Sequence, residues 1–170
     1  MSMFTTKIYI KTFNGCQKLN VIAKGDWIDL YANEDFNFTG PIVNDNKEVE
    51  IPTIKIPLGV AMKLPSGFEA LVESRSSTYK TYGLVPWNCL GIIDNSYNGP
   101  NDQWQFGALC LKPGHVRKGD RICQFRIQLS QKATIWQKIK WLFSNKVKFV
   151  YVPELYGEDR SGFGKGTGKR

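Results

Sequence analysis

In GIIDNSYNG, residues 91–99, an aspartate directly follows two isoleucines and a tyrosine follows three residues later. A carboxylate fixed at the end of an apolar strand is suited to taking a proton from water. The same string also reads as a strand turning into a hairpin, with no chemistry required. Other reactive groups stand apart from it. In ESRSSTYKTYGL, residues 73–84, Arg75 offers a planar fork for phosphate oxygens. Ser76 and Ser77 add hydroxyls at a candidate helix start, where free N–H groups attract anions. The tail EDRSGFGKGTGKR sets Lys165 and Thr167 among Gly162, Gly164, Gly166 and Gly168, like a loop that wraps phosphate. Its spacing is not GxxxxGK[ST], so it is no P-loop. Phe163 in that tail is placed to stack on a base. WIDLYA at 27–32 and GDRICQF at 119–125 complete the set. Each alone has a structural explanation: a strand end, a helix cap, a turn.

A net charge of +8 over 170 residues points to an anionic partner without choosing among polynucleotide, nucleotide and acidic protein. The length suits one domain with its own core. No run approaches the ~18–20 apolar residues of a membrane helix, and the alternating start MSMFTTKIYIKTF lacks an apolar signal core, so a soluble, unexported chain is expected. Cys16, Cys89, Cys110 and Cys123 are scattered, with His115 the lone histidine. They read as small buried side chains in a reducing compartment, not as a zinc site.

Period-two alternation supplies the elements that position these groups. Ile8 and Ile10 share one face of KIYIK; Val60, Met62 and Leu64 alternate, as do Phe68, Ala70 and Val72, and Phe106, Ala108 and Cys110. In RICQFRIQL, Cys123, Phe125, Ile127 and Leu129 face one way, and Gln124, Arg126 and Gln128 the other. Short strands parted by PSG, NG, KPG and KGD turns predict an all-β sandwich or barrel. One segment differs. In ATIWQKIKWLFSN, Ile135, Trp136, Ile139, Leu142 and Phe143 share a helical stripe, with Gln137 and Lys140 opposite and Trp141 off the stripe. A short helix over about 133–144 follows. Lysines 132, 138, 140, 146 and 148 make it basic. It reads either as a helix lying on the barrel with a solvated lysine face, or as a surface for a regulatory protein or nucleic acid. The glycine-rich tail cannot order itself by burial. It reads as a disordered end or as a segment that orders on a ligand.

Taken in order, WIDLYA, SRSS, NCLGIIDNSYNG, GDRICQ and RSGFGKGTG resemble the five motifs of the trimeric dUTP pyrophosphatases, the dUTPases, with an inserted helix like that of phage-type members. KIPLGVAMKLPSGFEALVESRSS is similar to the family's lead into its second motif, and the resemblance runs from about residue 19 to the C-terminus. It implies a distorted jelly-roll-like β-barrel over 1–158 carrying the inserted helix, and a flexible arm over 159–170 that closes over an active site. It implies a homotrimer with shared sites and hydrolysis of dUTP to dUMP and pyrophosphate with Mg²⁺ on the triphosphate. That activity limits uracil in DNA and supplies dUMP for dTMP synthesis, in the cytoplasm (the host's, if viral).

Position by position, the resemblance makes Asp94 the general base and Tyr97 the wall under the deoxyribose. Asn88, Gly91, Ile92 and Ile93 would bind uracil, with Trp104 closing the pocket and Phe163 stacking. Arg75, Ser76, Ser77, Gln124, Arg160, Gly164, Lys165 and Thr167 would hold phosphates, and Asp29 would reach the metal through water. The sequence departs from the family in RSS for the usual RSG, in PNDQW after Gly99, in the spacing of the last motif, and in the basic helix. Two rivals remain. A dCTP deaminase-like enzyme shares RSS, but its glutamate has no counterpart in WQFGALCLK. A non-enzymatic module would bind nucleic acid or a regulatory protein through the basic helix and tail.

Overall fold

The computed structural model describes residues 5–20, 25–143 and 146–160, and Phe163, Gly164, Lys165 and Thr167 lie outside them. The first half holds β1 (Thr6–Thr12), β2 (Ile28–Tyr31), β3 (Phe36–Phe38), β4 (Ile42–Val43), β5 (Val49–Glu50), β6 (Thr53–Pro57), β7 (Val60–Lys63) and β8 (Phe68–Ser74). Then come α1 (Thr78–Tyr82), β9 (Leu84–Pro86), β10 (Gly91–Asp94), β11 (Gln105–Cys110), β12 (Gly114–Val116) and β13 (Arg121–Leu129). The order ends with α2 (Ile135–Phe143) and β14 (Val147–Tyr151).

The strands form sheets β14–β1–β7, β10–β8–β13–β2 and β6–β11–β9, with the pairs β12–β3 and β4–β5. The all-β expectation holds, but the strands remain in separate sheets and close no barrel among the described residues.

Alternation sets which faces meet. Ile8 and Ile10 of β1 are fully buried while Lys7 and Tyr9 face out. Along β13, Cys123, Phe125 and Ile127 turn inward as their period-two spacing requires. Ile122 is buried as well, because the register against β2 shifts between Arg121 and Cys123. Such a bulge re-aims one side chain without breaking the strand. Trp104 and Phe125 meet edge to face at 5.3 Å in the centre of the core.

The helix inverts its expected orientation. Thr134 and Gln137 form a capping box: Thr134 N donates to Gln137 Oε1 at 2.7 Å, and Gln137 N donates to Thr134 Oγ1 at 3.3 Å. Gln137 Nε2 also donates to Ser66 O at 2.7 Å, tying α2 to the β7–β8 turn. Trp141 is half-buried and packs edge-on against Phe68 at 5.0 Å. The residue off the stripe is therefore the anchor, and the stripe itself faces out: Trp136 is 70% exposed and Leu142 82%. A helix apolar-face-down with its lysines in solvent is not what forms. The cysteines also depart from expectation in part: Cys110 and Cys123 are buried, Cys16 is half-buried, and Cys89 is exposed.

Candidate active site

Asp94 ends β10, where Ile93 is buried and pins the strand to the core. Its carboxylate is half exposed and held from two sides. Ser96 N donates to Oδ1 at 2.8 Å, an Asx turn, and Ser96 Oγ donates to the same oxygen. Arg160 Nη1 donates to Oδ2 at 2.6 Å. Burial works to raise the Asp94 pKa, but the Ser96 and Arg160 hydrogen bonds outweigh it and hold the carboxyl below its usual value. An ionised, positioned carboxylate is what a base near neutral pH needs.

The loop after Asp94 clamps the chain's C-terminal side. Asp102 is buried; its Oδ2 accepts from Gly99 N at 2.9 Å, and Oδ1 accepts from Arg160 N at 3.0 Å. Asp159 accepts from Asn101 N at 2.8 Å and from its Nδ2 at 2.7 Å. The chains approach so closely that a side chain at Gly99 would strike the Asp159 backbone. Asp159 and Arg160, expected as the start of a free arm, are thus fastened to the hairpin loop. Tyr97 is half-buried, with its hydroxyl donating to Gln103 O at 3.2 Å. Burial foremost, then Asp102 and Asp159, push its phenol up to about 12.

Beside this cluster lies a cleft of ≈430 Å³ lined by Asn88, Gly91–Ile93, Gln105–Gly107 and Trp87. Among the described residues β10 makes its ladder with β8 on one side only, which leaves backbone N–H and C=O groups of 91–93 for a ligand. Asn88 and Ile92 are exposed there. Trp104 does not close this cleft. It is fully buried against Phe125, and its alternation partner Gln105 faces the cleft instead. Trp87, which has no distinguishing sequence signal, covers Gly107 so tightly that a Cβ there would overlap its ring. Gln105 Oε1 is buried without a hydrogen-bond partner among the described residues.

A second polar group gathers at the far end of β8. Arg75 Nε meets Asp29 Oδ1 at 2.8 Å, and Arg121 Nη1 meets Asp29 Oδ2 at 3.3 Å. Arg75, Ser77 and Arg121 line a polar cleft of ≈480 Å³, and Ser76 is exposed beside it. Ser77 is the N-cap of α1 but makes no side-chain cap. Thr78 instead ties the preceding turn to β13, its Oγ1 accepting from Arg75 N at 3.0 Å and donating to Ile122 O at 2.7 Å. Gln124 pairs with Asp29 across β2 and with Glu73 across β8.

Register separates the two groups. Asp94 pairs with Glu69 on β8, and Arg75 lies six residues further along the same chain. At ~3.3 Å per residue this is about 20 Å.

No family model matches the chain. It is 41% identical over 159 residues to the SPbeta prophage-derived deoxyuridine 5'-triphosphate nucleotidohydrolase of Bacillus subtilis, covering 93% of this chain and 96% of the relative. The chain belongs to the dUTPase family. The dUTPase of Streptococcus mutans shares the fold at a TM-score of 0.60 and 18% identity, over 74% of this chain and 98% of that one. So does the dUTPase of phage phi11 of S. aureus, D95N mutant, at a TM-score of 0.60 and 14% identity, over 75% and 94%; that structure is described as showing coordination of a structural Mg(II) ion. The shared dUTPase fold is all-β and jelly-roll-like.

No cluster of three or more metal-ligating side chains occurs among the described residues of this dUTPase. Both Asp29 oxygens are engaged by arginines. With its oxygens so engaged, Asp29 would reach a magnesium ion through water and not as a direct ligand, as the resemblance implies.

Proposed function

We propose that this member of the dUTPase family hydrolyses dUTP to dUMP and pyrophosphate, with each active site assembled from more than one copy. The carrying observation is the register of β8. A base at Asp94 and phosphate ligands at Arg75, Ser76, Ser77 and Gln124 belong to one reaction but stand at opposite ends of a strand. One nucleotide does not bridge about 20 Å with its α-phosphate at Asp94 and its remaining phosphates at Arg75. A neighbouring copy supplies the missing half, and the homotrimer is the assembly that the family resemblance supports.

In this reading uracil enters the cleft between β10 and β11 and bonds the open backbone edge of Gly91–Ile93, with Asn88 at its rim. The unpartnered Gln105 Oε1 accepts from the imide N–H of the base. Cytosine has no N–H at that ring position. The deoxyribose lies on Tyr97, whose neutral phenol leaves no room for a 2′-hydroxyl. Asp94 takes a proton from water; the water oxygen bonds the α-phosphorus as the bond to the bridging oxygen breaks, and pyrophosphate leaves. Positioning of this kind supplies much of the rate. Magnesium arrives on the triphosphate as part of the substrate. Asp29 acts by holding Arg75 and Arg121. Arg160 holds Asp94 in the free protein and turns to phosphate when the arm beyond it, with Phe163, Gly164, Lys165 and Thr167, closes on a site.

Its cellular role would be to limit uracil in DNA and supply dUMP, in the cytoplasm of a bacterial host, as a prophage-derived relative suggests. Pyrophosphate release measured across the deoxynucleoside triphosphates and UTP tests the reading. Turnover of dUTP alone, lost in Asp94→Asn while dUTP binding persists, supports it; ammonia from dCTP, or full activity of Asp94→Asn, refutes it.

A further inference from the structure

The apolar stripe of α2 faces outward and is largely uncovered among the described residues. Ile135, Trp136, Leu142 and Phe143 are 64–82% exposed and Ile139 37%. At 100° per residue these five occupy an arc of about 120°, with Lys138 and Lys140 each about 40° beyond an edge. No acidic residue occurs between Asp120 and Glu154, so the rim of the stripe is positive.

A second exposed apolar element of opposite charge exists on the same chain. Among the described residues β4 and β5 pair only with each other, and Val43 and Val49 form a cross-strand pair, 68% and 66% exposed. Ile42 and Ile51 add further apolar area. Asp45, Glu48 and Glu50 surround them against one lysine, Lys47. The turn is preorganised: Asn44 Oδ1 accepts from Asn46 N at 3.1 Å and Glu48 N at 2.9 Å. An isolated two-stranded hairpin is marginal in water, so one that keeps valines outward calls for a cover.

We infer that α2 of one copy docks on the β4–β5 hairpin of another, stripe against the Val43–Val49 pair, with Lys138 and Lys140 meeting Asp45, Glu48 and Glu50. The occupant is a second copy of this chain because only there do matching apolar faces carry opposite charge. The C-terminal residues 161–170, with Lys165, Lys169, Arg170 and no acid, would be repelled by the basic rim. The contact is heterologous, helix to hairpin, and such contacts close into rings or run on as fibres. Closure at three copies rests on the trimer proposed above; the contact itself does not.

The test is disulfide trapping in a Cys89→Ser background. Leu142→Cys together with Val49→Cys, both at exposed positions, should give on mild oxidation a ladder of linked chains ending at three, whereas either substitution alone gives none. Lys138→Glu with Lys140→Glu should cut the linked fraction at least tenfold, and adding Glu48→Lys with Glu50→Lys should restore it. Circular dichroism verifies folding of each variant. No linked chains in a folded double variant, or a link within one chain only, overturns the proposal. So does a blue shift of Trp136 emission on phosphatidylglycerol vesicles that needs the stripe, since a bilayer would then be its occupant. A trapped ladder from a protein inactive on dUTP would sustain the contact while refuting the function.

Discussion

Asp94 and Arg75 stand at opposite ends of β8, one paired with Glu69 and the other following Ser74, about 20 Å apart along the strand. The motif resemblance implies that both serve one reaction, and the strand keeps them apart in one chain.

Gln105 is the residue whose role is most specific to the cleft. Replacing it with leucine removes an acceptor that is already buried and unpartnered, so folding should change little. Losing one hydrogen bond to substrate should lower kcat/KM for dUTP by roughly 10- to 100-fold. Steady-state kinetics and thermal melting of Gln105→Leu check both halves; a large loss of stability with unchanged kcat/KM would assign it a structural role.

Asp29 balances two arginines. Asp29→Asn leaves Arg75 and Arg121 facing each other without a counter-charge, which should cost about 2 kcal/mol, less than a fully buried pair because Arg121 is largely exposed. Arg75 should also lose its aim, raising KM for dUTP. Urea denaturation and kinetics measure the two effects, and magnesium titration should show the same ion requirement as the parent.

The Asp94 carboxyl is lowered despite burial because Ser96 and Arg160 bond its charged form. A lowered folded-state pKa means stability that is complete above the unfolded value and lost as pH falls through the folded one. Arg160→Ala should move the Asp94 titration upward and shift that loss to higher pH. Carbon-13 carboxyl NMR reads the midpoint directly; an unchanged midpoint would show that Arg160 does not hold the carboxylate in solution.

Trp141→Ala should loosen α2. The half-buried indole gives up its edge contact with Phe68 and the packing around it, a loss of roughly 2 kcal/mol. Hydrogen exchange in residues 134–143 should accelerate, while turnover of dUTP stays within about twofold of the parent, because no residue of α2 lines the cleft.

Strands were legible where one face is buried: alternation gave the inward residues of β1, and those of β13 except at the bulge, which buries Ile122 as well. Periodicity gave the helix α2 but not which way it faces, because an apolar stripe says that a surface will be covered, not by what. Trp141 and Gln137, set by a turn and a capping box, decide the docking. Trp104 illustrates a related limit. The resemblance made it the residue closing the pocket after the lengthened PNDQW stretch, yet alternation with Gln105 sends the indole to the core. Asp102, which clamps Arg160, sits in a stretch readable only as a lengthened turn, since its partner is 58 residues away.

Mixing two dead variants probes the shared site most directly. Asp94→Asn and Arg75→Ala, or Gln124→Ala in place of the latter, should each be inactive as pure trimers. Equal amounts co-refolded into mixed trimers should recover about a quarter of parental pyrophosphate release, because one pairing in four joins an intact Asp94 to an intact neighbouring Arg75. A mixture that assembles fully yet stays inactive would contradict a site divided between copies.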